Sequence, residues 1–124
     1  MKVKFEGSFI VARLAKDGEY KLEFLAPLTE LSNVISIIRM LNKRFAIALV
    51  TEGAKTKFNN AAFHRMAIDS DGETKIVFSI PHEDMQDVDL GFFGRCQQKQ
   101  LTVYCRLPKL VTAQKEDQDD EDSN

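Results

Sequence analysis

The chain has 124 residues, 44% apolar and 29% charged, with a net charge of −2, which is enough for one globular domain with one real core. It contains no run of about 18 apolar residues, which excludes a membrane-spanning helix. Its first residues, Met1-Lys2-Val3-Lys4-Phe5-Glu6-Gly7, carry charge where a secretion signal needs an apolar stretch.

The predicted elements come in two similar series. A first strand from about Lys4 to Leu14 runs into Asp17-Gly18, where glycine supplies the positive φ of a tight hairpin turn. A second strand, Tyr20 to Leu25, alternates Leu22 and Phe24 toward one face, and Pro27 ends it because proline cannot donate to the ladder. Thr29 is then read as the N-cap of a helix whose apolar stripe is Leu31, Val34, Ile35, Ile38 and Leu41. A third strand covers Phe45 to Val50, and Gly53 to Asn60 is read as a linker.

The second series repeats the first. Its strands run from about Phe58 to Asp69, from Thr74 to Ile80, and from Leu101 to Arg106. Between the last two, His82 to Val88 forms a short helical stretch limited by Gly91 and Gly94. Placing residue i over residue i+54 superposes Phe9 on Phe63, Asp17-Gly18-Glu19 on Asp71-Gly72-Glu73, Phe24 on Phe78, and Pro27 on Pro81. After a two-residue insertion Phe45–Val50 falls on Leu101–Arg106. The expectation is a mainly β (α+β) fold in one domain over residues 1–110. It is a six-stranded pseudo-symmetric barrel built from two ββαβ units, about 4–52 and 58–108. Residues 111–124 form a disordered acidic tail.

Two tandem ββαβ units resemble the cradle-loop barrels, which include the double-psi and RIFT types, in topology across most of residues 4–107. The alternatives are a Greek-key barrel of OB type with the Leu31–Leu41 helix plugging one end, and two sheets side by side in a clamp-like arrangement.

Catalytic signatures are absent from the sequence. There is no Gly-x-Ser-x-Gly elbow, no phosphate-binding glycine loop, and only two histidines, His64 and His82. Cys96 and Cys105 fit no zinc spacing and read as free thiols of a reducing cytoplasm. The acids around His82-Glu83-Asp84, with Asp87 and Asp89, read as an acidic helix start rather than a metal site. No cofactor and no catalytic residue is expected.

The basic residues carry more information. Gly53 to Ile68 holds Lys55, Lys57, His64 and Arg65 without an acid, interleaved with Phe58 and Phe63. Leu90 to Lys115 holds Arg95, Lys99, Arg106 and Lys109 with Tyr104, again without an acid, and Lys43-Arg44 sit in a third such stretch. Cations beside aromatics are what a single-stranded nucleic acid needs, for its phosphates and its base faces respectively. The core reading of Phe58, Phe63 and Tyr104 stands beside this one.

The last eleven residues set one lysine against six acids, a net −5, leaving +3 for the rest of the chain. This tail resembles those of single-stranded-DNA-binding proteins, phage ones included. There the tail recruits partners and competes with DNA for a basic groove. Those tails usually end in an apolar residue, whereas this one ends Asp122-Ser123-Asn124.

The sequence therefore points to a non-enzymatic cytoplasmic protein that binds single-stranded nucleic acid, in phage or mobile-element replication or recombination. Lys43, Arg44, Lys55, Lys57, Arg65, Lys99 and Arg106 would meet phosphates, and Phe58, Tyr104 and Phe92 or Phe93 would stack on bases. The alternative is a protein–protein adaptor or a homo-oligomeric structural subunit. That reading uses Phe92 and Phe93 as an interface pair, open strand edges, and the tail residues Asp119, Asp120, Glu121 and Asp122 as a charged handle.

Overall fold

The computed structural model describes residues 2–40, 43–69, 71–85, 90–96 and 100–108. Its elements are β1 (Lys2–Leu14), β2 (Glu19–Pro27), a 3-10 turn (Leu28–Glu30), α1 (Leu31–Ile38), β3 (Arg44–Thr51), β4 (Ala54–Ile68), β5 (Glu73–Pro81), α2 (His82–Met85), α3 (Leu90–Cys96) and β6 (Gln100–Arg106). The six strands close into a barrel in the order β1-β2-β5-β4-β3-β6, and every neighbouring pair is antiparallel. Closure leaves no open edge, which replaces the clamp-like alternative with a single ring.

Exchanging β1 with β4, β2 with β5 and β3 with β6 leaves the ring order unchanged. The arrangement thus has an approximate twofold axis. It passes between β2 and β5 on one side of the barrel and between β3 and β6 on the other. The β1–β2 and β4–β5 hairpins are built alike. In each, a glycine at positive φ (Gly18 at 85°, Gly72 at 82°) closes a short loop, with Ala15 N–H donating to Glu19 O and Asp69 N–H to Glu73 O, both at 2.9 Å. The Asp17 carboxylate accepts from Glu19 N–H, and the Asp69 carboxylate from Asp71 and Glu73 N–H.

Inward residues of all six strands make an aromatic core. Phe5, Phe24 and Phe78 contact one another with ring centroids 5.9–6.4 Å apart, and Phe9, Phe45 and Phe58 continue the cluster. Leu22, Phe24, Ile76 and Phe78 are all buried, as their period-two spacing predicts. Because β2 and β5 are antiparallel, the helices that follow them lie at opposite ends of the barrel. α1 fills one end with Val34 and Ile37, joined by Met40 just beyond it, and α2 and α3 fill the other with Met85, Phe92 and Phe93. Gly7 lets β1 cross close to β2, since a Cβ there would lie 2.5 Å from the Leu25 carbonyl oxygen.

Several expectations change. Thr29 does not cap the helix: it lies inside the 3-10 turn, and α1 starts at Leu31 with no side-chain cap. The buried residues of α1 are Val34 and Ile37, with Met40 just beyond it, while Ile35 is 43% exposed and Leu41 lies outside the described residues. In a stretch as apolar as Val34–Ile38, periodicity alone does not fix the phase. The expected linker Gly53–Asn60 is strand, because only Glu52 and Gly53 (φ 77°) turn the chain into β4. Gly91-Phe92-Phe93-Gly94 lies within a helix and its two rings are buried.

Candidate nucleic-acid interface

The register of the four strands around β3 and β6 sets the outward side chains in rows. Lys4, Tyr104, Ala48 and Lys57 form the middle row across β1, β6, β3 and β4. On one side of it lie Lys2, Arg106 and Ala46, with Asn59 beyond them on β4. On the other lie Glu6, Thr102, Val50 and Lys55. The strands alternate strictly here: Phe5, Ile47, Leu49, Phe58, Val103 and Cys105 point inward, so every second residue must point out.

These rows line an open groove of about 970 Å³. Five cations line it, Lys2, Lys4, Lys55, Lys57 and Arg106, all exposed, and no acid is among its lining residues. None of the five forms a salt bridge among the described residues. Small side chains, Ala46, Ala48 and Val50, make the floor, and Tyr104 stands on it 45% exposed. Glu6 bounds the groove at one corner, its carboxylate accepting from Thr102 Oγ1 at 3.4 Å and Gln100 Nε2 at 3.5 Å.

The structure brings together only some of the residues named from sequence. Lys55, Lys57, Tyr104 and Arg106 converge in the groove. Phe58 does not join them: it is 1% exposed and stacks on Phe93 at 6.3 Å, so it has no free face for a base. Phe92 and Phe93 are likewise core residues, Phe93 also packing 5.1 Å from Phe9, and are not free for a partner. Arg44 is tied to Glu19 at 2.8 Å and donates to the Asn60 and Ser79 carbonyls. Arg65 pairs in register with Val77 on the opposite side of the barrel, and Lys43 is exposed beyond α1. Lys99, Asp119, Asp120, Glu121 and Asp122 lie outside the described residues, as do Asp87 and Asp89.

Sequence reasoning missed Lys2 and Lys4. Their signal was present: Lys2-Val3-Lys4-Phe5 and Lys55-Thr56-Lys57-Phe58 are the same pattern 53 residues apart. The 54-residue offset hides it, because Asn59 and Asn60 together oppose Ala46 in a β-bulge. With the bulge removed, Phe5 and Phe58 are equivalent core residues, and the lysine pairs are equivalent across the twofold axis.

The side of the barrel around β2 and β5 is organised differently. Glu23, 5% exposed, accepts from Arg13 and lies 3.0 Å from Lys75. Lys21, 3% exposed, donates to Asp17 at 2.8 Å and to Ser79 at 2.7 Å. Burial pushes the Glu23 carboxyl up, but its Lys75 and Arg13 contacts together outweigh that and hold it below the usual range. Hydrogen bonds from Arg44 and Ser79 lower Glu19 in the same way. Burial, with the nearby Lys21 charge, holds the His64 imidazole below its ordinary value. His82 stacks on Tyr20 at 5.8 Å and Asp84 accepts from Asn60 Nδ2, so both side chains serve local packing. Burial pushes the Cys105 thiol up to about 12, which makes it an unreactive core group.

No helix among the described residues is long and apolar enough to cross a membrane. Comparison with protein-family models, with curated proteins and with solved structures gives no match.

Proposed function

We propose that this chain is a non-enzymatic binding protein that takes single-stranded nucleic acid in the groove over β1, β6, β3 and β4. The observation that carries this reading is the set of five exposed cations, without an ion-pair partner among the described residues, around an exposed tyrosine. Like charges this close repel one another and gain nothing within the fold, so a polyanion is the natural counterpart. The cations meet phosphates and Tyr104 gives a base a stacking face. Among the described residues, the groove's only side-chain amide is that of Asn59. This poverty in base-edge readers fits sequence-tolerant binding. The acidic tail, −5 in sequence, competes for the same cations. An adaptor role loses two of the features proposed for it, since Phe92 and Phe93 are core and the barrel has no open edge; its charged handle, Asp119 to Asp122, lies outside the described residues.

Fluorescence anisotropy of labelled oligo-dT, titrated with full-length protein at several salt concentrations, tests this. Engagement of all five cations gives a slope of log K against log salt of about −3.5. Replacing Asp119, Asp120, Glu121 and Asp122 by their amides tightens binding at low salt. Absence of binding by either protein at low salt overturns the proposal.

A further inference from the structure

The cations of the groove are not spread evenly over its face. Lys2 and Arg106 occupy one corner, Lys4 and Lys57 the middle row, and Lys55 the diagonally opposite corner. The other two corners hold Glu6 and Asn59. From strand spacing and rise, the charged diagonal measures about 20 Å, while the crossing diagonal is neutral at one end and acidic at the other. The twofold axis rises through the middle row between Tyr104 and Ala48 and exchanges Lys2 with Lys55, Lys4 with Lys57, and Glu6 with Asn59. It also exchanges Arg106 with Val50 and Tyr104 with Ala48, and these two pairs differ in kind.

We infer that a single strand crosses the sheet obliquely along the charged diagonal, from Lys2 and Arg106 over Tyr104 to Lys57 and Lys55. This rests on the reading of the groove as a single-stranded nucleic-acid site. The lysines alone are indifferent to which end of the strand lies where, because the twofold axis reverses a strand laid along the track. Tyr104 and Arg106 break that equivalence and place the better-held nucleotide in the β1–β6 half. Glu6 keeps a phosphate backbone off the crossing diagonal.

Three full-length variants that each add one positive unit separate a track from a general positive patch. Val50→Arg places a cation on the track at the counterpart of Arg106. Glu6→Gln and Asn59→Lys make the same change in charge off the track. Titrated with oligo-dT by anisotropy, Val50→Arg is expected to tighten binding five- to tenfold and to steepen the salt slope by about 0.7. The other two are expected to change affinity less than twofold with the slope unchanged. Equal tightening by all three, or greater tightening off the track, overturns the oblique path while leaving the site intact. Failure of the wild-type chain to bind at all overturns the site itself. Melting curves show whether each variant keeps the fold. Lys2→Gln and Lys55→Gln provide a second readout that needs no new bulk, each expected to weaken binding at least threefold, Lys2→Gln the more. No loss from either overturns the path.

Discussion

The twofold axis pierces the barrel on two sides, and the two sides treat charge in opposite ways. Around β2 and β5, outward Lys21 and Glu23 are covered, and each is met by an opposite charge or a hydroxyl. Around β3 and β6, the outward cations are exposed and no acid pairs with them among the described residues. Both sides are antiparallel strand pairs astride the same axis, and they differ in how their outward side chains are met. A charge under cover must be neutralised or it destabilises the fold. A charge left in water costs little, and several of one sign gathered together do nothing for the barrel. The first side belongs to folding; the second is the one we propose for an external polyanion.

The sharpest way to break this comparison is to neutralise the groove. Replacing Lys2, Lys4, Lys55 and Lys57 by Gln is expected to weaken oligo-dT binding on the order of 10²–10³-fold at low salt, each lost phosphate contact also flattening the salt slope. The urea midpoint should stay the same or rise, which chemical denaturation checks; a clear fall would mean that these lysines hold the barrel together. The reverse substitution is Glu23→Gln on the other side. It removes the partner of both Arg13 and Lys75, and since those two are 47% and 36% exposed and can return to water, the loss is about 2 kcal/mol of stability with affinity unchanged.

Tyr104→Ala comes next, with an expected loss of about 1–2 kcal/mol in binding and none in stability, whereas Tyr104→Phe keeps the stacking face and the affinity. The smallest effect is in pH. Glu19 and Glu23 are held below their ordinary value of 4.5 in the folded chain. Their contribution is therefore fully present above 4.5 and is lost as pH falls below that value and through the lower folded one. Melting temperature against acid pH should drop less steeply for Glu23→Gln than for the wild type; parallel curves would remove Glu23 from the account.

Much of the fold was legible because local rules were strong. Asp17-Gly18 and Asp71-Gly72 mark their turns by backbone chemistry, and Leu22, Phe24, Ile76 and Phe78 announce a buried face by alternation. The phase of α1 was not legible, since Val34, Ile35, Ile37 and Ile38 allow two overlapping apolar stripes one residue apart. Half of the groove was read from acid-free segments, and its other half was missed because β1 and β4 differ by one bulged residue at Asn59–Asn60. Phe58 was ambiguous for a physical reason: a phenylalanine between a lysine and an asparagine on a strand can point either way, and only its pairing opposite Ile47 decides.

The pairing of Lys2 with Arg106 has a consequence for the order in which the chain is written. Those two residues face each other across β1 and β6 as Ala54 and Thr51 do across β4 and β3, but only the second pair is joined by a turn, Glu52–Gly53. The barrel therefore has two matching seams, one stitched and one open. Joining the chain after the buried Leu107 back to Lys2 by a short turn, and cutting at Gly53, would exchange the order of the two halves without moving a strand, and either half would still meet the other in the same embrace.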